Sequence, residues 1–371
     1  MILVVGMTLS SRPDKRREDM KKEVGYMLKR NYAERVTLLD VAHHAGVSRA
    51  TASLVLRNSP LVADTTRQRV LASMQQLGYV YHRTAAALRT QRSHTLGLII
   101  PDITNPFFAE LTLGVEERLD KDNYVVVLAN TSEALDKQGR ILTALQENNT
   151  DGILFCPAEG TPRETVETLS SRQLPVVLVV RYLFDIDADY VGADNVPGAR
   201  LATEHLITHG HRRIAFIGGP ATSSARHDRL IGYRSAMEQH NLSVDEALLP
   251  TSPTTRDGGH RAILSLLTEH EPPTAALCYN DVVAFGVMLG LQARGLIPGQ
   301  DFAVIGFDDI AEAALWHPPL TTVSIAAHQI GTMAAQRILE RIARPDDLPQ
   351  RMILPPNLVI RCSCGTHNSG S

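Results

Sequence analysis

Apolar positions along the chain keep one rhythm up to about residue 80 and another after Ser93. In the earlier stretch they recur three and four apart, the spacing of helices with one buried face. Leu38, Val41, Ala42 and Ala45 form one such stripe, Ala52, Val55 and Leu56 a second, and Val70, Met74 and Leu77 a third. The punctuation agrees with this division. Thr37 stands where a helix needs a capping oxygen, Gly46 allows a tight left-handed turn, and Ser48 caps the next helix, which runs to about Leu56. Asp64 or Thr65 opens the third helix and Gly78 stops it. Two short helices around a glycine-containing turn, buttressed by a third, make a helix-turn-helix unit.

After Ser93 the pattern becomes short continuous apolar runs separated by segments of helical period. TLGLII (95–100), YVVVLAN (124–130), GILFC (152–156) and PVVLVV (175–180) form one series. RIAFIGG (213–219), AALCYN (275–280) and FAVIGFDD (302–309) form a second. Continuous apolar runs are what strands of a parallel sheet need when both faces are covered. Two series predict two doubly wound α/β subdomains facing each other across a cleft.

Ligands of such sheets bind beyond the carboxyl ends of the strands, so polar residues just after each run are the candidates. Asp102, Thr104, Asn105 and Phe107 follow the first strand, Arg181 follows PVVLVV, Asn280 and Asp281 follow LCY, and Asp308 follows VIGF. A carboxylate, an amide and an arginine aimed into a cleft suit vicinal hydroxyls or a small anion, and Phe107 offers a face for a sugar ring. Plainer roles stand beside these: Asn105 and Asp281 suit helix caps, Arg181 a surface ion pair, and Trp316, in LWHPPLTTV, either ligand contact or hinge packing.

Composition sharpens the division. The chain has 371 residues, 44% hydrophobic and 21% charged, enough for two or three domains and a substantial core. Its net charge of −3 hides a split: residues 1–92 carry 16 Lys and Arg against 7 Asp and Glu, and the remainder 21 against 33. A basic head on an acidic body implies two different partners. Residues 36–92 hold seven Arg against Asp40 and Asp64, and the second helix presents small polar side chains, which favours DNA over a protein contact. Residues 1–35 have no clear period, and Met20 or Met27 serves equally as a start, so this leader reads as disordered or mis-called, with a basic DNA-gripping arm as the alternative. Its cluster Arg12, Lys15, Arg16, Arg17 follows the apolar start, the reverse of a secretory signal, and no run of about 18 apolar residues occurs. Four scattered cysteines fit a reducing compartment, so a cytoplasmic location is expected.

Other constellations come to little. His205, His209 and His211 surround Gly210 and read as a helix C-terminus in place of a metal site. Cys362, Cys364 and His367 lie in a polar tail read as frayed, and Cys156 and Cys278 sit inside strand runs as core. No G-x-G-x-x-G follows a strand, and neither a P-loop nor G-x-S-x-G occurs, so enzyme readings have no carrier residues and no cofactor is expected.

The run TLLDVAHHAGVSRATASLVL resembles the DNA-binding headpiece of the LacI family of bacterial transcription regulators, and the resemblance extends from Val36 to Arg361. A narrower likeness, to the maltose-regulon repressor type, rests on SLVL and CYND. The resemblance implies an all-α helix-turn-helix headpiece (36–81), a hinge (82–92), and a periplasmic-binding-protein-like body (93–361). Its first subdomain would span about 95–194 plus 323–347, its second about 195–322 plus 348–361, with a tail at 362–371. It implies that Arg49 and Ala50 read base edges in the major groove, that Thr51 and Ser53 touch bases or backbone, and that Thr37, Ser48 and Thr66 anchor phosphates. Leu54 stands where many members have arginine. In the hinge HRTAAALRT, with Arg83 and Ala85 among its DNA contacts, Leu88 matches the residue that wedges into the minor groove. Such a short helix would fold only when paired with its dimer mate on DNA. Arg229 stands at the family's ligand-gripping arginine. The tail CSCGTHNSGS lacks the leucine heptad of the family's tetramers, which leaves a homodimer. The expected function is a repressor of a pseudo-palindromic operator, controlled by a sugar-like effector that shifts one subdomain against the other. The rival is a periplasmic sugar-binding protein without a DNA function.

Overall fold

The computed structural model describes residues 36–56, 59–79 and 92–365, which fall into two separate compact units, a head and a body. The head consists of α1 (Leu38–Ala45), α2 (Arg49–Leu56) and α3 (Asp64–Leu77). Thr37 and Asp40 form a capping box: the Thr37 hydroxyl accepts from the Asp40 amide, and the Asp40 carboxylate accepts from the Thr37 amide at 2.8 Å. Gly46 ends α1 at φ 63, where a side chain would be strained. Val41, Ala42, Ala45, Ala52, Val55, Val62, Val70 and Met74 make the core. Leu38, Leu56 and Leu77 cover its margin half-buried, since so small a unit has few layers to place over them. His44 joins Ser73 at 3.0 Å and ties α1 to α3.

In the body, β1 (Thr95–Ile100), β2 (Val125–Asn130), β3 (Gly152–Phe155), β4 (Val176–Val179) and β5 (Asp189–Ala193) lie in the first sheet. The second sheet takes β6 (Ile214–Ile217), β7 (Ala275–Cys278), β8 (Ala303–Asp308) and β9 (Thr321–Ser324). Then β10 (Arg351–Leu354) returns to the first sheet and β11 (Asn357–Val359) to the second. The first sheet runs β10-β5-β4-β3-β1-β2, parallel throughout, and the second β11-β9-β8-β7-β6, parallel except for β11. The α/β expectation and both strand series are therefore present. The helices that matter for the cleft are α4 (Pro106–Asp120), α5 (Leu135–Glu147), α6 (Glu164–Ser171), α7 (Asn195–Thr208), α8 (Ser224–Gln239), α9 (Arg256–Leu266) and α10 (Asp281–Ala293). The short α11 (Ala311–Leu315) precedes β9, and α12 (Ala327–Ala343) carries the chain back to the first subdomain. There α12 lies so close on α4 that a Cβ at Gly114 would sit 2.0 Å from the His328 carbonyl, and one at Gly331 2.1 Å from that of Leu111.

Several expectations need correction. Segment 348–361 does not belong wholly to the second subdomain: β10 pairs with β5 and β11 with β9, so the third crossing between subdomains falls between these two strands and not near residue 347. Strand β5 carries no continuous apolar run, because its buried DYVGA mixes Gly and a paired Asp with aromatic and aliphatic residues. The run at 124–130 is an edge strand, with Val125 51% and Val127 42% exposed. The tail is packed as far as Cys364, since Ser363 exchanges backbone and hydroxyl hydrogen bonds with Val304 and Thr321. Cys364 is buried beside His205, with Sγ 3.3 Å from Nε2. His209 lies at the end of α7 with Nδ1 2.7 Å from the His205 carbonyl, the capping geometry its spacing suggests.

Candidate functional site

On the head, α2 is the element that its motif assigns to DNA. Ser48 caps it by accepting from the Thr51 amide at 3.0 Å, and its hydroxyl meets that of Thr51 at 2.9 Å. Arg49 and Ala50 are exposed in the first turn, and Thr51, Ser53 and Leu54 are half-buried behind them. Leu54 leans on the head's core, so its side chain is used for packing where an arginine would reach outward. Thr37 is exposed at the start of α1 and Thr66 half-buried in the first turn of α3. Helix N-termini present backbone donors to phosphates, and Thr37 and Ser48 mark two of them. Arg83, Ala85 and Leu88, with the leader, lie outside the described residues.

In the body, seven of the eight candidate residues surround one small cavity between the subdomains: Asp102, Asn105, Phe107, Arg181, Arg229, Asn280 and Asp308. The reason is topological. Strands β1, β4, β7 and β8 all end at the cleft, so residues just beyond β1, β4 and β7, and Asp308 at the end of β8, line it, while Arg229 reaches it from α8. Asn105 also caps α4, accepting from the Phe107 amide at 3.1 Å, and Asn280 caps α10, accepting from Val283 at 2.9 Å. Asn280, and not Asp281, is thus the cap of α10. Asp281 is fully buried instead, accepting from the Ile310 amide at 2.9 Å and the Thr322 hydroxyl at 2.5 Å, a brace between β8 and β9. Asp102 closes a local turn by accepting from Thr104.

Arg229 is the centre of the cluster. Its Nε donates to Asn195 at 2.9 Å, Nη1 donates to the Tyr279 carbonyl, and Nη2 lies 3.8 Å from Asp308. The guanidinium also stacks 3.7 Å from the Phe307 ring centre. Asp308 sits at φ 117, a conformation that costs a non-glycine residue free energy and is held only because the surroundings fix it. Burial pushes its carboxyl up to about 7, while Arg229 and the Asn105 amide pull the other way. Arg181 is buried and donates to Glu133 at 2.8 Å and to the Pro157 carbonyl at 3.2 Å, so it lines the cavity and also makes the ion pair its position allowed, with a half-buried partner. The cavity measures about 30 Å³, room for a water or two. A sugar-sized ligand enters only if the subdomains part.

Trp316 is not brought to this cavity. It stacks on Phe285 at 4.2 Å and 16° and packs against the core, the hinge-packing role that its position equally allowed. Sequence reasoning passed over Tyr279 and Thr254, which also line the cavity. Tyr279 directly follows β7, so the end-of-strand rule itself would have found it. Thr254 lies in an irregular segment with no periodic signal.

Comparison with known proteins follows the same division of the chain. Residues 37–81 match the model of bacterial regulatory proteins of the lacI family, and residues 203–364 that of the periplasmic binding protein-like domain. The ribose operon repressor of Escherichia coli strain K12 is 35% identical over 329 residues, covering 88% of this chain and 99% of its own. The maltose regulon regulatory protein MalI of the same organism is 31% identical over 336 residues, covering 88% and 98%. A crystal structure of the lac repressor dimer bound to operator and an anti-inducer superposes with a TM-score of 0.79 at 25% identity, covering 89% of this chain and 99% of that one. With a helix-turn-helix head, a two-sheet body and relatives of this similarity along almost their whole length, the chain belongs to the LacI family of bacterial regulatory proteins.

Proposed function

We propose that the protein is a transcription repressor that binds a pseudo-palindromic operator as a homodimer and is controlled by a small molecule held between its two body subdomains. What carries the reading is one juxtaposition: an exposed, capped α2 on a helix-turn-helix head, in a chain whose body gathers seven polar and aromatic residues at one cleft. The rival, a binding protein without a DNA function, leaves residues 37–81 without a purpose.

Arg49 reads a guanine edge through its paired donors, Ala50 contributes apolar contact, and Thr37, Ser48, Thr51, Ser53 and Thr66 hold backbone or neighbouring bases. Residues 82–92 act as the hinge, with Arg83, Ala85 and Leu88 on the minor groove. Arg229, Asp308 and Asn280 grip ligand hydroxyls, with Asp102, Asn105, Phe107 and Arg181 completing the site. The half-exposed apolar edge strand β2, with Val125, Val127 and Leu128, supports a dimer contact on the first subdomain. Effector binding would set the angle between subdomains and so couple the cleft to the hinges. Its location is the cytoplasm, where DNA is met; among the described residues no helix is long and apolar enough to cross a membrane. The relatives are regulators and not enzymes, and no catalytic role is assigned to the cleft.

Selection of binding sites from a random duplex pool by the purified full chain tests this reading. Enrichment of a pseudo-palindrome, with base preference relaxed at one position per half-site by Arg49→Ala, is the expected result. Recovery of no preferred sequence, or of one without two-fold symmetry, would overturn it.

A further inference from the structure

We infer that the cleft has a second compartment and that its ligand is at least two rings long, a neutral disaccharide or aryl glycoside and not a free monosaccharide. This rests on the cleft being the effector site.

Arg181 lines both the small cavity around Arg229 and a second cavity of about 290 Å³. That second cavity is walled by residues beyond β3 and β4 on one side and by Thr222, Ser223 and Ser224, leading into α8, on the other. Both subdomains therefore face it, and a ligand crossing Arg181 would touch both.

Its walls have the chemistry of a carbohydrate subsite. Phe184 is 45% exposed, set edge-on to Tyr182 at 5.4 Å and to His227 at 5.2 Å, and so keeps an apolar ring surface open at the mouth. Tyr182 is fixed beneath it: its hydroxyl donates to Asp228 at 2.8 Å, its amide donates to Ser224 at 2.9 Å, and Arg351 covers its ring at 4.5 Å. Sugar rings present apolar C–H faces and polar edges, which an aromatic platform opposite hydroxyl side chains matches on both counts. The charges argue against an anionic ligand. Arg181 is paired with Glu133 at 2.8 Å and Arg163 with Glu167 at 3.2 Å, so neither cation offers an unmatched charge to an anion, and the Glu159 carboxylate on the same wall accepts from the Thr222 amide at 3.3 Å. The platform is also already in place, so a second ring would lose little free energy to ordering of the wall.

Titration calorimetry on the full chain tests the inference with matched pairs: methyl glucoside, galactoside and xyloside against their 4-nitrophenyl counterparts, and glucose against maltose and cellobiose. In whichever series binds, the longer member is expected to bind about tenfold tighter than the shorter, the scale of one aromatic contact. Phe184→Ala should erase that advantage, and because Phe184 is exposed the variant should fold. Equal affinity of long and short members, tighter binding of the short one, an advantage that survives Phe184→Ala, or binding in none of the series would each overturn the inference. Arg229→Ala, titrated in parallel under conditions where circular dichroism shows the variant folded, separates the two levels. If it abolishes binding of both members while length gives no gain, the second compartment is wrong and the effector site stands. If it leaves binding intact, the effector site itself is wrong.

Discussion

The head and the cleft place their candidate side chains in opposite surroundings. On α2, Arg49 and Ala50 are exposed, and the core beneath is made by other residues. In the cleft Arg229, Asn280 and Asp308 are all nearly inaccessible, at 3%, 2% and 8% exposure. A surface that meets a large, rigid partner such as DNA can leave its contacts standing in water. A site that encloses a small molecule must be concave and dry, and there its polar groups satisfy one another when nothing else does. Asn280 and Asn105 accordingly cap helices as well as line the cavity. Functional substitutions in the head should therefore leave the fold intact, and those in the cleft should not.

The largest expected effect is at Arg229. Arg229→Ala removes two hydrogen bonds and the cation beside Asp308, so it should cost about 3–5 kcal/mol of body stability by urea unfolding as well as effector binding. Unchanged stability would erase the contrast between the two regions. Arg49→Ala is the counterpart: about 1–3 kcal/mol lost in operator binding, measured by anisotropy, with unfolding stability moved by no more than about 0.5 kcal/mol.

The raised carboxyl of Asp308 gives a pH test. Because its folded value, about 7, lies above that of the unfolded chain, the folded state holds the proton longer. Stability then falls as pH climbs from about 4 towards 7, by up to about 1.4 kcal/mol per unit, and this contribution is flat outside that window. Asp281 is shifted in the same direction by burial, so the measurement is the difference in slope between wild type and Asp308→Asn. Equal slopes would remove Asp308 as the source. Smallest is the cap: Asn280→Ala should cost about 1 kcal/mol, against no more than that for Thr37→Ala in the exposed capping box of α1.

Local chemistry made much of this legible in the sequence. Helix starts at Thr37 and Ser48, the turn at Gly46 and the buried strand runs each depend on a few adjacent residues; the end-of-strand rule found six of the seven candidates that meet at one cavity, and the family resemblance the seventh, Arg229. The failures share a cause. A run such as YVVVLAN reads as buried whether its strand lies in the middle of a sheet or at its edge, and only the strand order places it at the edge. Asp281 and Asn280 are adjacent and equally good caps, and it takes the approach of Ile310 and Thr322 to make one a brace and the other a cap. Trp316 could face ligand or hinge until Phe285 stacked on it.

The sequence by itself determined the two-part character of the protein, its helix-turn-helix, its two α/β series and the opposite charges of head and body, because these follow from short-range periodicity and composition. The tertiary structure alone decided that the third crossing between subdomains falls between β10 and β11, that the tail is packed as far as Cys364, and that Arg181 lines both the small cavity and a larger one that Phe184 also lines. Those depend on contacts between residues far apart in the chain, which no local pattern encodes.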